Sequence, residues 1–426
     1  MPRFENTDGV RAGQRRFIRG VIWASPGQLD AGFASLATFI AGLVAVRILE
    51  VEGLAAYALL SSTFLIASQL PAELVFNPSQ VLAIDLPVAS RLGMLRHSIP
   101  RGLIAGVVSA LIVPLGVGPI LGSVSVRDLI PLSVSATALS IFSPLQDHMR
   151  AMLHLSGRSW IAAATSGIHL VGTGVTLVLL YQDFPLLAPF GALTVGNVVS
   201  AGISMFWVLH LQAPKVAKPT FGELRVLGGW LLATGFARTA LGYGTRSIIG
   251  LMAGIPSLGF LEGSRIVAQP IFVITQGLIA QVGPKSTEAG AKRDSDAASR
   301  WRIRFGLLLS LVAVPYALVT AASWPANPFS ELAPRAYAIP GLTATMLVAV
   351  WLTALLRPLK AEMLGARLQR PLAYLTIWLG LVEIALAFTA FKIGAFAAPI
   401  GMTISAIFMA ILLRRYLLSL YRPSPA

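Results

Sequence analysis

Long apolar runs, separated by short breaks that carry charges, prolines or glycines, fill the chain from end to end. Each run is about 20 to 27 residues long, enough for a helix to cross roughly 30 Å of hydrocarbon. The alternation that membrane strands require is absent, which disfavours a barrel. We predict twelve spans, at residues 27–49, 55–79, 102–122, 127–149, 160–181, 186–210, 227–251, 256–282, 302–323, 336–357, 372–393 and 396–418.

The composition supports an integral membrane protein. Hydrophobic residues make up 55% of the chain and charged residues only 12%, against about 25% charged in a soluble domain. We therefore predict an all-α polytopic membrane protein with about twelve transmembrane helices in two six-helix bundles. The predicted parts are a cytoplasmic amino-terminal segment (1–26), the first bundle (27–211), a cytoplasmic linker (212–226), the second bundle (227–418) and a cytoplasmic tail (419–426).

The distribution of Lys and Arg gives the predicted orientation. With both termini cytoplasmic, 26 of the 33 Lys and Arg residues fall on the inner side. The net charge of +15 then reflects topology, so we expect no nucleic-acid partner but an inner face that favours anionic lipids. The preference for Arg over Lys and the richness in Ala and Gly are typical of a GC-rich bacterium. We expect a multi-pass protein of the bacterial inner membrane.

Several kinds of chemistry find no support in the sequence. Cysteine is absent, and the five histidines form no pair at metal-ligand spacing. Neither His-Glu-x-x-His nor Gly-x-Ser-x-Gly occurs. We predict that the protein is not an enzyme and holds no cofactor or metal, although H⁺ or Na⁺ as a coupling ion stays open.

Arg238 lies near the middle of the predicted seventh span. A guanidinium at the bilayer centre costs from roughly 2.5 to well over 10 kcal/mol, so it normally faces protein, water or an anion. Glu383, at mid-depth in the eleventh span, is a candidate counter-ion for Arg238 or a protonatable coupling site. A static ion pair that only holds helices together is the alternative. Arg246 lies two turns nearer the outside, where its long stem can snorkel to the interface.

Two other spans carry a polar stripe along one helix face. In the eighth span the stripe consists of Glu262, Arg265, Gln269 and Gln276; in the second it includes Gln69 and Glu73. Either stripe can line a substrate or ion path. The alternatives are a Glu262–Arg265 pair that neutralises itself, and ordinary interfacial polarity in the second span. Asp30 is interpreted as a solvated residue at the start of the first helix.

Three segments resemble bacterial polysaccharide-export flippases. They are VRILEVEGLAAYALLSST from Val46 to Thr63, RAMLHLSGRSW from Arg150 to Trp160, and the stretch from Arg246 through IPSLGF to Gln281-Val282-Gly283-Pro284. The chain is similar in topology to the O-antigen or exopolysaccharide flippase branch of the multidrug/oligosaccharidyl-lipid/polysaccharide exporter superfamily. It departs from the pattern at Ala55, where many relatives have glycine, and at Thr245-Arg246, where they have an acidic residue before the arginine.

This resemblance implies a V-shaped molecule whose central cavity opens alternately to each side of the membrane. The implied cargo is a polyprenyl-diphosphate-linked oligosaccharide, handed on to glycan polymerase or assembly proteins. Arg238, Arg246 and Arg265 would then hold the diphosphate, because the planar guanidinium binds phosphate oxygens in bidentate fashion. Polar side chains of spans two and eight, Gln69, Glu73, Gln269 and Gln276, would meet sugar hydroxyls, with Glu262 and Glu383 as counter-ions or coupling sites.

Two other functions compete with this one. A drug/cation antiporter of the related multidrug family has the same topology, but we expect acids and aromatics to dominate its cavity. Here the intramembrane arginines match or outnumber the mid-depth acids, which favours anionic cargo. A non-transport scaffold for a glycan-assembly complex predicts that neutralising Arg238 leaves transport unchanged.

Overall fold

The computed structural model describes residues 7–83, 86–120, 125–211, 214, 220–321 and 327–421. Side chains are described from residue 26 onward, apart from a few positions within helices. These ranges contain helices and turns but no strand. The prediction of an all-helical polytopic membrane protein is confirmed.

The first half of the chain forms the first lobe. Its helices are α1 (Thr7–Ile48), α2 (Val51–Pro71), α3 (Asn77–Leu82), α4 (Val88–Ala110), α5 (Val126–Leu155), α6 (Ser159–Leu180) and α7 (Ala188–Leu209). A π-helical turn, Ala72–Phe76, joins α2 to α3, and a 3-10 segment, Val113–Ile120, follows α4.

The second lobe comprises the remaining helices. They are α8 (Phe221–Ala253), α9 (Ile255–Lys292), α10 (Ser295–Thr320), α11 (Pro328–Leu332), α12 (Leu342–Leu355), α13 (Arg357–Gly365), α14 (Gln369–Ala387), α15 (Ala390–Ile393) and α16 (Ala397–Tyr421). Short 3-10 turns at Pro334–Tyr337 and Gly394–Phe396 complete this half.

Ten helices in the described part of the chain are long and apolar enough to cross a membrane, and the bent helix α9 provides an eleventh. Helix α8, with 33 residues, occupies the seventh place in the antiparallel order. Helix α1 begins at Thr7, about five turns before the predicted first span, and includes Pro26. Most of the predicted linker, residues 212, 213 and 215–219, lies outside the described residues. The predicted domain boundaries therefore stay a prediction.

Because successive spans run antiparallel, the connections fall on two sides of the molecule. We call basic side the one with the connections after α3, α5, α7, α9 and α13, the first residues of α1 and the end of α16. These connections and the helix ends beside them carry most of the Lys and Arg residues. The opposite side, with the connection between α1 and α2 and the segment between α10 and α12, is the far side.

The two lobes join through apolar packing in the far half of the molecule. One buried cluster combines Val46 and Tyr57 of the first lobe with Ile266 and Ala336 of the second, and another packs Leu59 against Leu258. In the basic half, the buried clusters stay within one lobe: one around Phe76 and Met152, the other around Met363 and Leu413. The lobes are therefore closed together on the far side.

One seam between the lobes continues into the basic half, where α8 packs against the end of α2 and the π-helical turn. A Cβ on Gly228 would lie 2.7 Å from the Glu73 carbonyl oxygen, and a Cβ on Gly235 would lie 2.7 Å from Gln69 Oε1. At Gly228 only glycine permits so close an approach of backbone, whereas at Gly235 the end of the Gln69 side chain would have to move. Glu73 lies in the π-helical turn directly after Pro71, and this turn packs against α8.

Gly259 of α9 closes the far side against the first lobe. A Cβ at this position would lie 2.3 Å from the Val51 carbonyl oxygen, so we expect Gly259→Ala to push α9 away from α2 and to lower the thermal unfolding midpoint of the purified protein. Gly277→Ala in the same helix is the matched control, because no atom lies within 4 Å of its added Cβ. Helix propensity makes this control neutral or stabilising by up to about 1 kcal/mol. Equal midpoints for the two variants would contradict this packing.

Candidate functional site

A buried carboxylate, Glu262 of α9, lies at the centre of an ion cluster inside the membrane region. Its side chain is 1% exposed, and Arg265 one turn later binds it in bidentate fashion, with Nε 2.9 Å from Oε2 and Nη2 2.6 Å from Oε1. Arg246 of α8 approaches the same carboxylate, with Nε 3.8 Å from Oε2. Two guanidinium groups thus share one acid, and the cluster carries a net positive charge.

Arg246 also connects the cluster to the first lobe. Its Nη1 donates a hydrogen bond to Ser62 Oγ of α2 over 2.8 Å, and that hydroxyl donates to the Ala58 carbonyl oxygen at 2.9 Å. The expectation that the stem of Arg246 snorkels to the interface is wrong, because Glu262 and Ser62 hold the guanidinium within the protein. The Glu262–Arg265 pair, predicted as the alternative to a substrate or ion path, is present, but Arg246 gives the cluster a net positive charge.

The cluster borders a cavity of about 380 Å³, formed mainly by α8, α9, α12, α14 and α16. The charged residues on its described wall are Arg246, Arg265, Lys360 and Glu383, so cations outnumber acids. The wall extends from Leu261 in the far half to Lys360 in the basic half. Hydroxyl groups of Thr239, Thr245, Thr353, Thr376 and Ser405 add polar surface.

Arg238 lies on α8, about two turns from Arg246 towards the basic side. Its side chain lies outside the described residues, so its pairing with Glu383 stays a prediction. Glu383 itself is half-buried in α14 and borders the same cavity as Arg246 and Arg265. Three of the predicted site residues, Arg246, Arg265 and Glu383, therefore border one cavity. Glu262 contacts the two arginines.

The other predicted residues of the two polar stripes, Gln69, Glu73, Gln269 and Gln276, lie outside this cavity. Gln69 and Glu73 face Gly235 on the seam between α2 and α8, and Asn77 Nδ2 donates to Glu73 Oε2 over 3.0 Å. Gln269 and Gln276 are half-buried on α9, nearer the basic side than Arg265. These four residues are not part of the cavity wall around Arg246. Their role in binding sugar stays a prediction.

A second buried carboxylate, Asp30, lies in the first lobe. It is 4% exposed and lies well inside α1, so its interpretation as a solvated helix-start residue is wrong. Arg150 of α5 binds both carboxylate oxygens, with Nε 2.8 Å from Oδ1 and Nη2 2.9 Å from Oδ2. His154 Nε2 lies 2.8 Å from Oδ2, and the hydroxyl of Ser166 in α6 also donates to Asp30.

A signal for this site was present in α5. Asp147, Arg150 and His154 follow one another at spacings of three and four residues, which places them on one helix face. Arg150 Nη1 also lies 2.9 Å from Asp147 Oδ1. Three helices of the first lobe, α1, α5 and α6, are therefore fixed to one another through Asp30.

Comparison with solved structures identifies the fold. No protein-family model and no curated protein matches the chain. Among solved structures, an inward-facing multidrug resistance MATE-family transporter of the MOP superfamily aligns with a TM-score of 0.74 at 15% identity, covering 92% of this chain and 96% of that one. The chain has the MATE transporter fold.

Two further MATE-fold structures align over similar lengths. An outward-facing multidrug resistance MATE-family transporter gives a TM-score of 0.61 at 13% identity, covering 95% of this chain and 96% of that one. A MOP superfamily transporter from Pyrococcus furiosus, described as having a binding pocket of reverse polarity, gives 0.62 at 15% identity over 95% and 96%. The predicted superfamily topology agrees with these structures, while the polysaccharide flippase branch is not among them.

Replacing the central acid of the arginine cluster tests its energetics. Glu262→Gln removes the buried carboxylate that two partly buried guanidinium groups share, so we expect a loss of up to about 3–5 kcal/mol in unfolding free energy. The matched control is Glu223→Gln at the exposed start of α8, where Thr220 and Glu223 form a capping box that Gln also completes. Denaturant unfolding of both purified variants measures the difference. A Glu262→Gln protein as stable as the control would exclude a structural role for this carboxylate.

The Asp30 cluster generates a second prediction. Asp30→Asn removes the charge that neutralises Arg150, and we expect a loss of several kcal/mol, whereas Ser166→Ala removes one hydrogen bond and costs about 1 to 3 kcal/mol. Asp183→Asn, in the exposed turn after α6, serves as the control. Thermal unfolding in detergent should rank wild type and Asp183→Asn above Ser166→Ala, and Ser166→Ala above Asp30→Asn. Any other order contradicts the proposed contacts.

Proposed function

We propose that this protein is a membrane transporter that moves a polyprenyl-diphosphate-linked oligosaccharide across a bacterial inner membrane by alternating access. The observation that carries the proposal is the wall of the 380 Å³ cavity, where the described charged residues are three cations, Arg246, Arg265 and Lys360, and one acid, Glu383. An excess of cations over acids at a cavity among membrane helices favours an anionic cargo. A diphosphate fits, because arginine stays charged when desolvated and binds phosphate oxygens with two parallel N–H groups.

The packing of the two lobes supports alternating access. Apolar clusters join the lobes in the far half, whereas the clusters of the basic half stay within one lobe. The likeness to an inward-facing MATE transporter, at a TM-score of 0.74, exceeds that to an outward-facing one, at 0.61. With the basic side cytoplasmic by the positive-inside rule, this arrangement is a cytoplasm-open state ready to accept cargo made inside the cell.

The MOP superfamily transporter from Pyrococcus furiosus gives further support, because a protein with a similar fold is described as having a binding pocket of reverse polarity. In this chain, Arg238 would extend the cationic wall two turns towards the basic side. Glu262 and Glu383 are the candidate counter-ions or sites for a coupling H⁺ or Na⁺. Anionic lipids at the basic side and glycan polymerase or assembly proteins are the proposed partners.

A drug/cation antiporter is the second candidate, because multidrug transporters share this fold and Glu383 borders the cavity. A cationic drug would have to bind beside Arg246 and Arg265, and like charges at that distance repel in a medium of low dielectric. The arginine cluster therefore favours anionic cargo over a cationic drug.

Substitutions of the cavity arginines test the proposed cargo. In cells that depend on this protein for surface glycan, we expect Arg246→Gln and Arg238→Gln to reduce export at least about tenfold, because each loses a charge-assisted contact worth about 1.5 to 3 kcal/mol. Arg246→Lys keeps the positive charge but lacks the planar guanidinium that binds two phosphate oxygens, so we expect an intermediate level of glycan export. Arg370→Gln, at an exposed position of α14, is the control and should export normally.

Protein abundance in the membrane must be equal for all four variants. Normal export by Arg246→Gln and Arg238→Gln at normal abundance would contradict the diphosphate role. Loss of resistance to a toxic organic cation, with glycan export unchanged, would instead support the antiporter.

A further inference from the structure

An arginine side chain crosses from the second lobe to the first on the far side of the molecule. It belongs to Arg335, in the 3-10 turn Pro334–Tyr337 between α11 and α12. Its Nη1 donates to the carbonyl oxygens of Val46 and Arg47, over 3.0 and 2.9 Å. Both acceptors lie in the last turn of α1, which ends at Ile48. Arg335 therefore joins the two lobes through the end of α1.

The last carbonyl groups of α1 require such a donor. A helix leaves its final carbonyl oxygens without intrahelical partners, and a cation there also interacts favourably with the helix dipole. Leu49 N–H still donates to the Ala45 carbonyl oxygen at 3.0 Å. In the part of the chain that the structure describes, no backbone N–H donates to the next two carbonyl oxygens. One guanidinium nitrogen carries two N–H groups, so Arg335 Nη1 can cap both of them.

The 3-10 turn that carries this arginine is fixed to three helices of the second lobe. The Ala336 carbonyl oxygen accepts from Ser264 Oγ of α9 at 3.1 Å and from the hydroxyl of Thr343 in α12. The Tyr337 hydroxyl donates to the Thr320 carbonyl oxygen of α10 at 2.9 Å. Because three helices hold the turn, the arginine moves with the second lobe. Separation of the lobes on the far side therefore breaks its bonds to α1.

Arg47 makes a second contact across the same boundary. Its Nη1 lies 3.4 Å from the carbonyl oxygen of Glu331 in α11. The side chain of Arg47 is exposed and that of Arg335 is half-buried, so water can reach both guanidinium groups once the lobes separate. Val46 and Ala336 belong to the apolar cluster that joins the lobes. The arginine contacts therefore lie at the water-facing edge of that cluster.

A contact shifts an equilibrium between two states only if it differs between them. The donor and the acceptors of this contact belong to different lobes, so it stabilises the state in which the far side is closed. We infer that Arg335 is a positioning residue for alternating access, which holds the far side closed by capping the end of α1. This inference rests on the proposed alternating access but not on the cargo, because no ligand takes part in the contact.

Alkylation of a buried cysteine measures how often the far side opens. The chain contains no cysteine, so Val46→Cys, at a fully buried position between the lobes, introduces a single thiol. A water-soluble maleimide is added to the full-length protein in phosphatidylcholine nanodiscs. When opening is rare and fast, the rate of alkylation is proportional to the population of the open state. We expect Arg335→Gln to increase this rate about tenfold, because charge-assisted hydrogen bonds are lost.

Two variants control for charge and for geometry. Lys392→Gln removes one cation from an exposed position of α15, in the same lobe and on the same side, and should leave the alkylation rate within about twofold of that of Val46→Cys alone. Arg335→Lys keeps the charge but lacks the planar guanidinium, so it should react more slowly than Arg335→Gln.

A second reporter detects loss of structure within the first lobe. Leu177→Cys lies at a buried position of α6, which packs against α1, α5 and α7 of the same lobe. Movement of the lobes as units leaves this position buried. Its alkylation rate should therefore be the same with and without Arg335→Gln.

Three results would overturn the inference: Arg335→Gln leaves the alkylation rate of Val46→Cys unchanged, Lys392→Gln raises it equally, or Leu177→Cys accelerates as much as Val46→Cys does. The last result would make the effect one of general stability. Failure of the proposed alternating access has a different signature, because Val46→Cys then reacts in no variant. Failure of the proposed cargo leaves these rates unaffected and shows instead as normal glycan export by Arg246→Gln.

Discussion

A charge inside a bilayer must be neutralised by protein, water or ligand, and this constraint determines how the helices of this protein are arranged. Glu262 is held by two arginines, Asp30 by Arg150 and His154, and Glu362 by Arg302 and the hydroxyl of Tyr421. In each case the carboxylate is almost fully buried, and at least one partner comes from another helix. The pairs therefore fix which helices are neighbours.

The position of each pair explains what it stabilises. The Asp30 cluster joins α1, α5 and α6 within the first lobe, and Glu362 joins α10, α13 and α16 within the second. The Glu262 cluster differs because Arg246 also binds Ser62 of the other lobe. Ion clusters that join helices within each lobe, with a hydrogen bond from Arg246 to Ser62 between the lobes at the cavity, suit a rearrangement in which the lobes move as units.

Periodicity and spacing predicted the parts of this arrangement that lie within one helix. Apolar runs gave the spans, and the spacing of three residues between Glu262 and Arg265 gave their ion pair. The same reasoning failed where partners are distant in sequence: Arg150 lies 120 residues from Asp30, and Ser62 lies 184 residues from Arg246. No local pattern records such contacts, because the packing of whole helices produces them. The interpretation of Asp30 as a solvated residue failed for this reason.

The same constraint gives the two polar clusters opposite charge. In the first lobe one arginine, Arg150, binds two carboxylates, Asp30 and Asp147, so this cluster has no excess of positive charge. In the second lobe two arginines share one carboxylate, Glu262, so that cluster has one positive charge in excess. Water can solvate this excess while the cavity is open. Under the proposed function, closure removes the water and the diphosphate of the cargo takes its place beside the remaining positive charge.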